Sequence, residues 1–289
     1  MAFNLQTFKT RALTSVVFVA VMLAGIFINQ WTFLLLFSVI HFGCWFEFQK
    51  LVKLIDPAYA TISKVHKYAV MLAGWGFMLW MTTAVYNIHT VRLDEVGQWL
   101  CISMLVVTVL SAVIKRPFNP RLLSHSVFGL LYISLSWGLL VNIYCKGIIS
   151  GADFGRFIIM TLIATIWIND TMAYIVGSFI GKTPLSSISP KKTWEGTAGG
   201  ALLAVIAVTL VCYFGFAIDY LPILLLAVVT VITGTLGDLL ESKLKRLANV
   251  KDSGSIMPGH GGFLDRFDSL LLATPFAWLL LYVLERLAQ

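Results

Sequence analysis

The chain has 289 residues, 58% of them hydrophobic and 12% charged, with a formal net charge of +7. Soluble domains carry about 25% charged residues, so a water-exposed globule could not cover this much apolar side chain. The composition excludes that class and predicts an all-α, polytopic integral membrane protein.

A spanning helix takes roughly 20 mostly apolar residues. Nine stretches approach that requirement, at about 12–28, 31–46, 68–86, 97–114, 126–144, 155–180, 196–217, 220–238 and 269–285. The first two are short enough to form one re-entrant hairpin instead. The first is followed at once by the second, without a small-residue cleavage site, so it reads as a span and not as a cleavable signal. If nine spans alternate sides, the side of the N-terminus owns 17 of the 21 Lys and Arg, and the other side only Arg92, Lys146, Arg156 and Arg286. Cytoplasmic loops are the ones rich in Lys and Arg. The expectation is therefore an N-terminus inside, a C-terminus outside and a basic cytoplasmic face that attracts anionic lipid. No nucleic-acid partner is needed to explain the charge.

Residues 1–150 read as membrane scaffold. Trp31, Trp45, Trp75, Trp80 and Trp99 lie in spans or near their ends, where anchoring and packing account for them. Cys44, Cys101, Cys145 and Cys212 are scattered through apolar stretches without metal-ligand spacing and read as buried hydrophobes.

Residues 151–289 read as a catalytic membrane domain, with cytoplasmic loops at 181–195 and 239–268. Asp170 lies inside an apolar span, where a carboxylate costs about 2.5–3.5 kcal/mol on insertion scales and is a functional candidate by default. Tyr174, Gly177 and Gly181 follow it at helical spacing, and this small, polar face is expected to point into the bundle. A structural hydrogen bond or ion pair would account for Asp170 as well. The next loop reads Ser189-Pro190-Lys191-Lys192-Thr193-Trp194-Glu195-Gly196. Thr193 or Ser189 can cap the following helix, and two lysines beside a helix N-terminus suit a phosphate. A plain positive-inside loop would carry the same lysines. Gly196, Gly200 and Ala204 recur every fourth residue, the pattern of close helix packing.

The loop 239–268 is richest. If the preceding helix continues, Asp238, Glu241, Ser242 and Lys245 share a face. Asp265 and Asp268 lie three apart where the last span begins. Asp238, Asp265 and Asp268, if they converge, repel one another unless cations sit between them, and oxygen ligands are what Mg²⁺ takes when it also holds substrate phosphates. Lys245, Arg246, Lys251 and Arg266 would neutralise further phosphate oxygens, and Gly259, Gly261 and Gly262 would let backbone approach a phosphate. His260 fits phosphate contact, acid chemistry or loop packing. This pattern at a membrane surface suits metal-assisted phosphoryl or nucleotidyl transfer. A solvated loop with ion pairs would explain the charges but not the glycines.

The stretch from Ser242 through Lys245-Arg246, Lys251-Asp252-x-Gly254 and Pro258-x-His260-Gly261-Gly262-x-x-Asp265-Arg266-x-Asp268 resembles the signature of the phosphatidate cytidylyltransferase family. The segments Trp167-x-x-Asp170-Thr-x-Ala-Tyr174 and Ile188–Gly196 are similar to family segments too. Met172 stands where many members have Gly. The resemblance implies transfer of the cytidylyl group of CTP to phosphatidate, giving CDP-diacylglycerol and pyrophosphate, with Mg²⁺ and a second cation such as K⁺. It carries over Asp238, Asp265 and Asp268 as metal ligands; Lys251 and Arg266 are expected to join them in catalysis on the charge of the loop itself. Substrate contacts are then expected at Lys191, Lys192, Ser242, Lys245, Arg246, Asp252, His260, Gly261, Gly262 and Asp170. The expected place is the cytoplasmic (inner) membrane, with the active site on the cytoplasmic face, and the reading allows a homodimer. Competing readings are a CTP-dependent enzyme on another lipid, such as a polyprenol kinase or an archaeal-lipid cytidylyltransferase, and a transporter. A kinase would release CDP instead of pyrophosphate, and a pore would spread polar residues over spans that here carry almost no charge.

Overall fold

A computed structural model describes residues 5–114, 119–149, 153–255 and 261–288, with side chains from Ala12 onward except at 148 and 149. Lys115, Arg116, Pro258, Gly259 and His260, and the side chains of Lys9 and Arg11, lie outside the described residues. The described residues form the helices α1 (Leu5–Phe27), α2 (Gln30–Ile55), α3 (Lys64–Trp80), α4 (Leu93–Ile114), α5 (Pro120–Gly129), α6 (Leu135–Ile149), α7 (Phe154–Ile180), α8 (Trp194–Phe216), α9 (Tyr220–Leu247) and α10 (Leu264–Leu287). A short antiparallel hairpin, β1 (Asn87–Ile88) with β2 (Val91–Arg92), joins α3 to α4. Helices dominate because a bilayer offers no water to backbone polar groups, and a helix satisfies them within itself.

Each predicted stretch falls on a helix, with 126–144 running through α5, a π-turn at Leu130–Ser134 and α6. The count of nine spans is not reproduced as such: among the described residues, seven helices are long and apolar enough to cross a membrane. The first two predicted stretches lie on α1, of 23 residues, and α2, of 26; α3, with 17 residues, is shorter than a spanning helix. The third stretch was expected to reach residue 86. It ends earlier because Thr82 Oγ1 turns back to donate to Leu79 O, and Thr83 takes a left-handed φ of 53° that no helix continues through. The second stretch is no short re-entrant arm, since α2 runs on to Ile55 over 26 residues. Its start is fixed by Asn29, whose Oδ1 accepts from the backbone N–H of Trp31 and Thr32, while Thr32 Oγ1 accepts from Asn29 N–H.

The chain divides into two compact units, Met1–Cys145 with Leu244–Phe267, and Lys146–Lys243 with Asp268–Gln289. In the first, Phe33, Phe37, Trp45, Phe48, Trp137 and Tyr144 are fully buried, with the Phe33 and Tyr144 rings stacked at 3.8 Å. Hydrocarbon supplies little hydrophobic drive between helices, so close packing and internal hydrogen bonds hold them. Ser134, in the π-turn, accepts from Trp45 Nε1 at 2.9 Å and lies 3.2 Å from His41 Nε2. The α3–α4 seam depends on missing side chains: a Cβ on Gly76 would come 2.5 Å from Cys101 N, and one on Gly97 2.6 Å from the Leu79 carbonyl carbon.

In the second unit α7 packs on α8. The stripe Gly196, Gly200, Ala204, Val208 and Cys212 is buried, and a Cβ on Gly200 would meet Ala173 N at 2.5 Å and Asn169 O at 2.7 Å. This is the small-residue packing read from the sequence. All four cysteines are free and buried, again as read. Outside these seams the surface is apolar, with Trp99 72%, Phe214 77% and Phe179 83% exposed. Water would not tolerate that exterior, whereas lipid does.

Candidate active site

Two carboxylate–lysine pairs form the polar centres of the two units. In the second unit, the loop between α7 and α8 folds back on itself: Leu185 N–H donates to Lys192 O at 2.7 Å, and Trp194 N–H to Thr183 O at 2.9 Å. Glu195 clamps the base of this loop by accepting from Lys182 N–H, Thr183 N–H and Thr183 Oγ1. Thr193 caps α8, its Oγ1 accepting from Gly196 N–H at 3.1 Å. So held, Lys192 pairs with Asp238 Oδ2. Lys191 is exposed beside it.

Asp238 sits on α9, which continues unbroken to Leu247, so the expected sharing of a helix face is realised. Ser242 Oγ lies one turn on, 3.4 Å from Asp238 Oδ1, and Glu241 is fully buried. Gly237 lets α10 come close: a Cβ there would be 2.5 Å from Asp268 O and 3.0 Å from Leu272 Cβ. The backbones bearing Asp238 and Asp268 therefore meet at one level. Asp268 Oδ1 accepts from Ser269 N–H at 2.6 Å.

In the first unit, Asp265 is the hub. Its Oδ1 accepts from Lys245 Nζ at 2.7 Å. Its Oδ2 accepts from Ser253 N–H, Ser253 Oγ and Gly262 N–H at 2.8, 2.9 and 2.8 Å. Side-chain exposure is 6% for Asp265 and 12% for Lys245. Gly261 sits at φ 82°, and a Cβ there would meet Asp265 Oδ2 at 2.6 Å. Arg246, Lys251, Asp252 and Arg266 are exposed around this hub, with Arg246 donating to Val250 O.

Two readings change. The face of Asp170 and Tyr174 was expected to turn inward, yet Asp170 is exposed and Tyr174 is 79% exposed. The cause is α8: its bare Gly196 and Gly200 draw in Ala173 and Gly177, and Asn169 is buried with them, which turns Asp170 and Tyr174 out. Gly261 and Gly262, read as making room for phosphate, already owe their bareness to the chain itself. A Cβ on Gly262 would strike the carboxylate of Glu47.

Glu47 was missed altogether. It lies on α2, in the stretch read as scaffold, and is buried. Its Oε1 accepts from Phe263 N–H, and its Oε2 from Leu264 N–H and Ser253 Oγ. A single acid just past an apolar run, four residues after Gly43, was the signal available.

For a hard divalent cation, the Asp donors are of the right chemical kind. Among the described residues, however, no three His, Cys, Asp or Glu side chains are grouped to hold one. The charge a cation would balance is balanced by Lys192 at Asp238 and by Lys245 at Asp265. Ammonium groups thus mark both carboxylates as cation-accepting positions. Asp265 Oδ2 already accepts from the Ser253 and Gly262 N–H groups and Oδ1 from Lys245, while Asp238 and Asp268 belong to the other unit, so each carboxylate has the right chemistry for a cation within its own unit.

The sequence compares with known proteins along its whole length. A phosphatidate cytidylyltransferase of Bacillus subtilis is 32% identical over 275 residues, covering 94% of this chain and 97% of that protein. One of Haemophilus influenzae is 29% identical, over 93% and 96%. One of Synechocystis is 44% identical over 140 residues, 46% of this chain and 47% of that protein. A family model described as the cytidylyltransferase family matches residues 9–284, taking in both carboxylate–lysine pairs. On that match and the full-length likeness, the chain belongs to the cytidylyltransferase family.

Proposed function

We propose that this protein is a membrane nucleotidyltransferase that moves the cytidylyl group of CTP onto phosphatidate, giving CDP-diacylglycerol and pyrophosphate for phospholipid synthesis. The observation that carries the reading is the end-to-end likeness to bacterial proteins of that name. The carboxylate–lysine pairs at the ends of apolar helices support it.

A phosphate oxygen of phosphatidate attacks the α-phosphorus of CTP, and the bond to the bridging oxygen breaks to release pyrophosphate. The attacking phosphate is already anionic near neutral pH, so no general base is required. The protein's work is placement and charge neutralisation. Lys192, freed from Asp238, and its neighbour Lys191 are suited to the lipid phosphate. Lys245, Arg246, Lys251 and Arg266 are suited to the triphosphate and the departing pyrophosphate, and Ser242, Asp252 and His260 are proposed as further substrate contacts. Asp238, Asp265 and Asp268 are each proposed as carboxylate ligands for Mg²⁺, which when bound would neutralise phosphate charge and draw electron density from the reacting phosphorus; a second cation such as K⁺ is expected from the family resemblance alone, with no residue assigned to it. Lys182, Lys191, Lys192, Lys243, Lys245, Arg246, Lys251 and Arg266 all lie in the segments 181–195 and 239–268, while the turn joining α8 to α9 carries no Lys or Arg, and this bias supports an inner-membrane enzyme whose N-terminus and reacting loops are cytoplasmic.

The test is purified protein in detergent with phosphatidate, Mg²⁺ and CTP labelled at the α-phosphate. A labelled lipid and one pyrophosphate per turnover are expected. Release of CDP with label left in solution would assign a lipid kinase instead.

A further inference from the structure

We infer that Glu47 is a positioning residue for this reaction, acting through the start of α10, which carries Asp265. The inference rests on the cytidylyltransferase reading for its function, but its geometry stands apart from it. Glu47 reaches residues 206 to 217 positions away in the chain. Phe263 N–H and Leu264 N–H, both at 2.9 Å from its carboxylate, are among the orphan donors at the start of α10. Glu47 therefore does from another helix what an N-cap side chain does locally.

Three further features make this a built socket. Gly43, one turn earlier on α2, gives the Phe263 ring its place, since a Cβ there would collide with it. Gly254 and Gly262 leave room for the carboxylate, and a Cβ on either would strike it. Ser253 Oγ lies 2.7 Å from Glu47 Oε2 and 2.9 Å from Asp265 Oδ2, so one hydroxyl ties the anchor to the functional carboxylate. Burying a carboxylate is costly unless it is hydrogen-bonded, and here its bonds run to the segment that positions Asp265. A mere packing residue at this point would need neither the charge nor three donors.

Glu47→Gln keeps the volume but presents an amide N–H₂ to donors. Misplacement of a reacting group by about 1 Å can cost about 100-fold in rate. Glu47→Gln is therefore expected to lower kcat by at least about 10-fold, leaving KM for phosphatidate within about 2-fold. Glu47→Asp, which keeps the charge, is expected to recover part of that loss. Ser253→Ala removes the hydroxyl that Glu47 and Asp265 share and is expected to lower kcat in the same direction. Glu47→Asp decides the matter if Glu47→Gln does not fold, because it leaves every donor of Asp265 in place. Hydrogen exchange without substrate supplies the second readout: Glu47→Gln, or Glu47→Asp in its place, should speed exchange at 251–255 and 261–267 and leave α3 and α4 unchanged. Parental kcat in both Glu47 variants, or exchange unchanged at 251–255 and 261–267, overturns the inference. A parent that makes no CDP-lipid overturns the activity reading instead, and the exchange comparison still decides whether Glu47 holds the loop.

Discussion

Asp238 and Asp265 both hold a lysine, but their surroundings differ, and so should their variants. The Lys192–Asp238 pair has side chains 34% and 21% exposed, and water can take over from a lost partner. Partly exposed ion pairs are worth about 0–1 kcal/mol. Asp238→Asn should therefore abolish CDP-lipid formation and leave the thermal midpoint in detergent nearly unchanged. Asp265 accepts from Lys245 Nζ and from the Ser253 and Gly262 N–H groups in a buried hub, and shares the one Ser253 hydroxyl proton with Glu47. Asp265→Asn turns an N–H₂ toward some of them, and an unsatisfied buried group costs about 1–3 kcal/mol. It should abolish turnover and also lower the midpoint. Equal midpoints for the two variants would show that the hub adds no stability. The loop chemistry around these aspartates was legible in the sequence because acids, bases and glycines were packed into 30 residues, 239–268. Glu47 was not legible, because its partners are some 200 residues away and only folding brings them to it.

Small residues decide how the helices meet. The buried stripe of α8 is periodic at four residues, which is a property of sequence and was read as such. Which face of α7 it would select was not readable. Asn169, Ala173 and Gly177 compete with Asp170, Tyr174 and Gly177 as the inward stripe, and the tie is broken by the close approach of Gly200 to Ala173. A side chain at Gly200 has no room, and overpacking costs about 1–3 kcal/mol. Gly200→Leu should lower the thermal midpoint and disturb the Lys192 loop that precedes α8. Gly215 has nothing within 4 Å of an added Cβ, so Gly215→Leu serves as the matched control and should leave the midpoint alone. The early stop of α3 is of the same kind, since Thr83 adopts a backbone conformation that composition does not announce.

Across the whole chain, the proposed orientation gives a labelling experiment. A single cysteine at Asp219, in the short turn between α8 and α9, should react with an impermeant maleimide in intact cells when the four native cysteines are replaced. A cysteine at Asp252 should react only after the membrane is opened. The reverse pattern would overturn the cytoplasmic placement of the loops.

Composition alone required a membrane protein of apolar helices, because no soluble surface can be made from 58% hydrophobic residues, and runs of apolar residues marked where the helices lie. The motif residues named the chemistry, since charge and glycine content are local properties. The fold decided which of those groups are paired, which are buried and which distant residue anchors them. Those depend on helix rotation and on contacts between remote segments, which are fixed only when steric fit between side chains is settled in three dimensions.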